Sequence, residues 1–155
     1  MQTRRDMLSR SARVAAMLAA VGALPALAQA QAGTYNTAAF AAKTLPEVMK
    51  ALGVNAPAES KDVTVTGPDI AENGAVVPVG AGSTLAGVKS LLILVEKNPS
   101  MLAAMFDVTD AVDANISTRV KMGQSSDVYA VALMNDGKVL YAKKEVKVTL
   151  GGCGG

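Results

Sequence analysis

The chain contains no histidine and no tryptophan, and its single cysteine is Cys153. Without histidine, this chain alone cannot supply a Ser-His or Cys-His catalytic pair. The commonest metal ligand is missing too, and one cysteine cannot build a structural zinc site. No acid, base or metal constellation stands out, so neither an enzyme nor a resident cofactor is expected. Aromatic side chains are few, three tyrosines and two phenylalanines. The formal charge of +2 is unevenly placed. Arg4, Arg5, Arg10 and Arg13 against Asp6 put +3 in the first thirteen residues, which leaves −1 for the rest. A near-neutral body with few aromatics does not match a nucleic-acid binder.

The first thirty residues are an address. Arg4-Arg5 opens a charged segment, Val14 to Leu27 is apolar, and Ala28-Gln29-Ala30 supplies the small residues read by a signal peptidase. The paired arginines in Thr3-Arg4-Arg5-Asp6-Met7-Leu8 resemble a twin-arginine export signal, with Met7 where that signal prefers phenylalanine. The apolar run is shorter than the roughly 20 residues that span a bilayer, and no cysteine sits at the cleavage point. No permanent membrane anchor is expected. The mature protein is expected to begin near Gln31 and to lie in the periplasm.

Residues 31–150 read as one domain. Thr37 to Lys43 is a short alanine-rich helix candidate. Thr44-Leu45-Pro46-Glu47 resembles a capping box, Leu45, Val48, Met49 and Leu52 form an apolar stripe at helical spacing, and Gly53 is a stop. From Asp62 the period changes to two. Val63 and Val65 alternate with threonines, and Ile116 to Met122 alternates cleanly. Leu91-Leu92-Ile93-Leu94-Val95 suits a central strand buried on both faces. Asp127 to Met134 reads as a strand, and Met101 to Val108 is apolar without a clear period. Asn135-Asp136-Gly137-Lys138 is a strong hairpin turn. Asn73-Gly74 is a second hairpin signal, and Pro78 argues that its outgoing arm is an edge strand. Asp107, Asp110 and Asp113 lack the alternate spacing and glycine of a calcium loop and read as solvated. Seven or eight short strands, with helix only at the start, predict a mainly β fold: an immunoglobulin-like antiparallel β-sandwich with one or two N-terminal helices. A single cysteine excludes the disulfide of antibody domains, so the core must rest on aliphatic packing. The exposed edges of such a sandwich invite a second β-domain.

The last strand, Lys144 to Leu150, runs into Gly151-Gly152-Cys153-Gly154-Gly155. Glycine has no side chain to bury and loses the most backbone freedom on ordering. Residues 151–155 therefore read as a flexible arm carrying one thiol, with a reach of roughly 10 Å from Leu150 to Cys153 at 3.3–3.6 Å per residue. An unpaired cysteine in an oxidising compartment must oxidise, pair with another chain or carry something. A thiol of ordinary pKa is only a few per cent thiolate at neutral pH, and nothing in the tail favours ionisation. Cys153 is a poor catalyst by itself but a serviceable acceptor in a site that activates it. Ordering the five tail residues costs about 1–2 kcal/mol each, which keeps docking moderate and reversible.

This tail behind Lys144-Glu145-Val146-Lys147-Val148-Thr149-Leu150 resembles the SoxY family, the sulfur carriers of bacterial thiosulfate oxidation. Ile70-Ala71-Glu72-Asn73-Gly74 with Val77-Pro78-Val79, Ser117-Thr118-Arg119-Val120-Lys121-Met122 and Asp136-Gly137-Lys138 are similar to that family as well. The resemblance spans essentially the whole mature chain, and the tail is its most specific part. It implies a covalent carrier and not an enzyme. Cys153 would be the attachment point, with Gly151, Gly152, Gly154 and Gly155 as a slim passage into partner sites. It implies a heterodimer with a SoxZ-like β-sandwich subunit. It also implies transient work with the SoxAX cytochrome, which joins thiosulfate to the thiol, the SoxB hydrolase, which releases sulfate, and the SoxCD dehydrogenase, where present.

Three other readings compete, the blandest being a glycine-rich tail with a stray cysteine. A carrier acting through the carboxylate of Gly155 needs ATP-dependent activation, which conflicts with export, and has no use for Cys153. An exported sandwich could use Cys153 only for an intermolecular disulfide, and would then form a stable covalent dimer with no adduct.

Overall fold

The structure, a computed structural model, describes residues 36–149. The export signal with Arg4 and Arg5 lies outside the described residues, as does the tail. Two helices come first, α1 (Thr37–Ala41) and α2 (Leu45–Leu52). Nine strands follow: β1 (Ala58–Glu59), β2 (Val63–Thr66), β3 (Ile70–Ala71), β4 (Val77–Ser83), β5 (Val88–Val95), β6 (Leu102–Asp107), β7 (Asn115–Val120), β8 (Ser126–Met134) and β9 (Val139–Val148). The mainly β sandwich with two short N-terminal helices is as expected.

Helix α2 forms where its caps are written. Thr44 Oγ1 accepts from the Glu47 N–H at 3.4 Å, and the Glu47 carboxylate accepts from the N–H of Lys43 at 2.9 Å and of Thr44 at 3.2 Å. The Lys43 N–H is the chief reason the Glu47 carboxyl is held below the usual carboxylate range. Gly53 ends the helix at φ 68°, a left-handed conformation suited to glycine. Asn36 caps α1 by accepting from the Ala39 N–H at 3.0 Å, and its amide ties α1 to α2 by donating to the Ala51 carbonyl at 3.1 Å.

The larger sheet runs β1-β9-β8-β5-β6, with β3 also on β9, and the smaller runs β2-β4-β7. Two cores result. Between the sheets pack Val63, Val77, Val79, Leu91, Ile93, Val95, Val128, Ala130 and Val146. On the other face of the larger sheet, Leu92, Leu94, Leu102, Val131 and Leu133 pack against Ala39, Val48 and Met49 of the helices. Successive strand residues point to opposite faces, so Leu91 to Val95 must be apolar throughout: odd members serve one core and even members the other. The helical stripe covers one face of the larger sheet. The close approach of β2, β4 and β7 falls at Gly80. A Cβ there would lie 2.5 Å from Thr66 Oγ1 and 2.7 Å from the Ile116 carbonyl oxygen.

Some strand assignments differ from the sequence reading. Asn73-Gly74 does not turn a hairpin. Ile70 and Ala71 pair parallel with Lys147 and Val148 of β9, whereas β4 belongs to the smaller sheet. The turn, closed by the Asn73 side chain accepting from the Ala75 N–H at 2.8 Å, carries the chain from one sheet to the other. Strand β4 is central and not an edge, with β2 and β7 on its two sides. Pro78 is tolerated because β2 pairs only with Gly80 to Ser83, so Pro78 faces β7 alone, opposite Arg119. Met101 to Val108 contains strand β6. The Asn135 to Lys138 hairpin joins β8 to β9, with Gly137 at φ 85°. Asp107 is not purely solvated: its carboxylate accepts at 2.8 Å from the hydroxyl of buried Ser90. Asp110 and Asp113 are exposed.

The two edges of the larger sheet are treated differently. On the β9 side, the segment 58–71 pairs through β1, crosses to the smaller sheet as β2, and returns as β3. That side is closed by the chain itself. On the other side, β6 ends the sheet and no strand among the described residues covers it.

Candidate functional site

The residues singled out in the sequence, Cys153 with Gly151, Gly152, Gly154 and Gly155, follow the last described residue, Thr149. The structure therefore defines the base from which they extend. Strand β9 alternates: Val146 is buried in the inter-sheet core and Val148 packs against it, while Lys143, Glu145 and Lys147 are exposed on the opposite face. Strand β9 ends beside the 69–72 segment, at one end of the sandwich.

Its last rungs are held on both sides. The Lys147 N–H donates to the Asp69 carbonyl at 3.0 Å, and the Thr149 N–H to the Ala71 carbonyl at 3.1 Å. The Thr149 hydroxyl donates to the Glu72 carbonyl at 3.0 Å. From the other flank, Ser125 Oγ accepts from the Val148 N–H at 2.9 Å. Neighbouring loops are joined in turn, because the Met122 N–H donates to the Gly74 carbonyl at 2.7 Å. The strand is thus pinned through Thr149 by backbone bonds that a short edge strand alone would lack. From there Cys153 is four residues away, a reach of about 13–14 Å when fully extended.

Two of the three lysines near the tail are committed elsewhere. Lys143 donates to Asp127 at 2.8 Å and sits 5.9 Å from the centre of the Tyr129 ring. The Asp127 bond is the main cause that raises the Lys143 pKa. Burial, followed by the charge of Glu96, raises that of Tyr129. Lys144 donates to the Gly67 carbonyl at 2.6 Å and to Asp69 at 2.9 Å, binding β9 to the loop that leads into β3. Lys147 is exposed and makes no ion pair among the described residues.

A cavity of about 690 Å³ lies at the opposite end of the sandwich, lined by the 83–88 and 108–115 loops. Strand β4 runs from Val77 at the tail end to Ser83 at the cavity, about 20 Å at 3.3 Å per residue. That distance exceeds the reach of the tail, so the cavity cannot serve Cys153 of the same chain. Asp110 and Asp113 line it, yet no group of three or more metal-ligating side chains occurs among the described residues.

Sequence reasoning missed the pinning by β3 and Ser125. The only available signal was the Ile70-Ala71 pair of apolar residues before Asn73-Gly74, and a two-residue strand carries too little pattern to reveal its partner.

Comparisons with known proteins bear on this chain. A family model described as "Sulfur oxidation protein SoxY" matches residues 48–153. The solved structure of the sulfur carrier protein SoxY from Chlorobium limicola f thiosulfatophilum is 31% identical, with a TM-score of 0.62, covering 70% of this chain and 97% of that one. A superoxide reductase (neelaredoxin) from Ignicoccus hospitalis, 14% identical, reaches a TM-score of 0.50 over 56% of this chain and 78% of its own, a likeness of fold alone. No curated protein matches in sequence.

Proposed function

The chain belongs to the SoxY family of sulfur oxidation proteins, and on that premise we propose that it is a periplasmic carrier whose Cys153 holds thiosulfate-derived sulfur covalently. The coarser statement, a sulfur carrier of the Sox type, follows from membership. The observation that carries the finer one is the tail: the sole cysteine sits between glycine pairs, directly beyond a strand end pinned through Thr149.

The chemistry proceeds on the sulfur of Cys153. Thiolate and the outer sulfur of thiosulfate lose two electrons together and form an S–S bond, with a SoxAX cytochrome as the acceptor. Water then attacks the sulfonate sulfur of the adduct. The S–S bond to that group breaks, hydrogen sulfate leaves, and a persulfide remains on Cys153. A SoxB hydrolase performs that step, and a SoxCD dehydrogenase oxidises the remaining sulfane sulfur where it is present. This chain supplies no catalytic group. Its part is to hold the adduct and to end in a passage thin enough to enter three different sites.

A SoxZ-like β-sandwich subunit is the permanent partner in this reading, and the open edge of the larger sheet supports it. Strand β6 carries Leu-Ala-Ala-Met-Phe before Asp107, and Ala103 to Phe106 are half-buried. It has neither lysine nor proline, the devices that usually blunt a free edge. Strand β7, which ends the smaller sheet, carries exposed Arg119. A second β-protein laid along β6 would complete its hydrogen bonds and cover these side chains.

The test is intact mass spectrometry of the protein from thiosulfate-grown cells, before and after reductant. A reducible increment on the C-terminal peptide that matches thiosulfonate or added sulfur, absent in Cys153→Ser, is the expected result. A peptide seen only as free thiol or as a cross-linked homodimer would replace the carrier reading with an intermolecular disulfide.

A further inference from the structure

Asn73-Gly74 is the one asparagine–glycine pair in the chain. The other asparagines precede Thr37, Ala56, Pro99, Ile116 and Asp136. A peptide nitrogen can attack the side-chain carbonyl of the residue before it and close a five-membered ring. Glycine obstructs that closure least, because it has no Cβ and the widest choice of backbone conformations. The pair does not turn a hairpin here but carries the chain from one sheet to the other.

The bonding of this turn suits the reaction. Asn73 Oδ1 accepts from the Ala75 N–H at 2.8 Å. That donor faces the oxygen on which charge develops when the carbonyl is attacked, the arrangement that stabilises an oxyanion. Asn73 is exposed and its amide nitrogen has no partner among the described residues, so ammonia can leave into water. Gly74 is buried, yet no acceptor among the described residues takes its N–H, while its carbonyl accepts from the Met122 N–H at 2.7 Å. A buried N–H without a partner is costly, and ring closure removes it. The Asp136-Gly137 turn differs on both counts. The Gly137 N–H donates to the Met134 carbonyl at 3.0 Å, and Asp136 is an ionised carboxylate, a poor electrophile, paired with Lys138 at 2.8 Å.

We infer that Asn73 is a modification site, at which the folded chain deamidates spontaneously to aspartate and isoaspartate. The Gly74 nitrogen gives its proton to water and attacks Asn73 Cγ. The Cγ–Nδ2 bond breaks, ammonia leaves with a proton from solvent, and a succinimide remains. Water then adds to either ring carbonyl. Cleavage between the Gly74 nitrogen and Cγ gives aspartate. Cleavage between that nitrogen and the main-chain carbonyl carbon gives isoaspartate, whose backbone runs through Cβ and Cγ. No electrons change hands, and neither a partner enzyme nor an adduct on Cys153 is required. Isoaspartate lengthens the main chain by a carbon atom, and either product adds a negative charge beside exposed Glu72. The segment entering the turn holds the base of the tail: the Glu72 carbonyl accepts from the Thr149 hydroxyl at 3.0 Å, and the Ala71 carbonyl from the Thr149 N–H at 3.1 Å. Lengthening the turn therefore loosens the hold on Thr149.

The test incubates the full chain in mildly alkaline buffer at physiological temperature. Its peptides are then mapped by mass spectrometry and by labelling with isoaspartyl methyltransferase, beside a sample unfolded in urea that gives the rate of the unstructured pair. Conversion at Asn73 is expected to exceed that at Asp136 by about tenfold, the factor that breaking the Gly137 bond supplies. Asn73→Gln is expected to abolish the label at that position. The converted fraction, separated by its extra negative charge, is expected to exchange the Thr149 amide about fivefold faster than the parent. An Asn73 that stays intact in the folded chain while it converts in urea, or an Asp136 that converts as fast, overturns the site. Unchanged exchange at Thr149 in the converted fraction overturns its link to the base of the tail.

Discussion

The two ends of this sandwich have opposite properties. The end opposite the tail has a hollow of about 690 Å³ with two aspartates in its walls. At the tail end the loops are bonded to one another and to the final strand through Thr149. By concavity alone the first end would be the candidate site. By chemistry the second is, because the only thiol of the chain leaves from it. In the proposed carrier reading, the substrate pocket belongs to the partner. What the carrier needs is a firm base beneath a short leash.

The sharpest way to break this comparison is to thicken the leash. Gly152→Val together with Gly154→Val is expected to lower turnover by a partner enzyme about 100-fold, because a misplaced reacting atom loses most of its catalytic advantage. Asp110→Ala with Asp113→Ala, at the other end, is expected to leave turnover unchanged. Steady-state kinetics with loaded carrier checks both. Equal losses at the two ends would make the hollow part of the site.

A second contrast concerns stability. Met122 is fully buried at the tail end, and its N–H holds the Gly74 carbonyl. Met122→Ala is expected to cost about 2–5 kcal/mol. Val112→Ala at the opposite end should stay within about 0.5 kcal/mol of the parent. Urea denaturation of the two variants decides. A smaller effect follows from Thr149→Val, which keeps the shape of the side chain and removes its bond to the Glu72 carbonyl. The expected cost is about 1 kcal/mol, with faster amide exchange at Lys147 and Thr149 as the local signature.

The smallest effect is electrostatic and belongs to the remote end. The Asp136 carboxyl is held below its ordinary value of 3.8, first by the side-chain bond from Lys138, whose nitrogen lies 2.8 Å away. A carboxyl depressed in the folded state contributes stability that is present above the unfolded value and lost as the pH falls through the folded one. Acidification below about pH 4 should therefore loosen the Asn135 to Lys138 turn slightly. Carboxyl chemical shifts of Asp136 followed down to pH 2 would register it, and a shift in the opposite direction would remove the Lys138 contact from the account.

Much of the fold was legible because its signals are local. The capping box of α2 closes within four residues. The five-residue apolar run of β5 reports two covered faces whatever covers them. Gly137 marks a left-handed turn between two alternating strands. Other features resisted reading because the partner is distant in sequence. Asn73-Gly74 looks like any hairpin turn until β3 is seen to pair with β9 rather than with β4. Pro78 signals a missing donor, and only the short span of β2 shows that a central strand can have room for it. Asp107 reads as loop until Ser90, seventeen residues away, is found donating to it.

The sequence by itself determined which residues carry the candidate chemistry. One cysteine among four glycines carries its reactivity and its slenderness wherever it is placed, since neither depends on packing. It also determined which residues face a core, because periods of two and 3.6 are properties of the backbone. The tertiary structure alone decided which elements are neighbours: that 58–71 closes one edge and leaves β6 open, and that β3 and Ser125 grip the last strand. A periodic pattern specifies the face a side chain turns toward, but the identity of what it meets there depends on how loops close and cores fill in three dimensions.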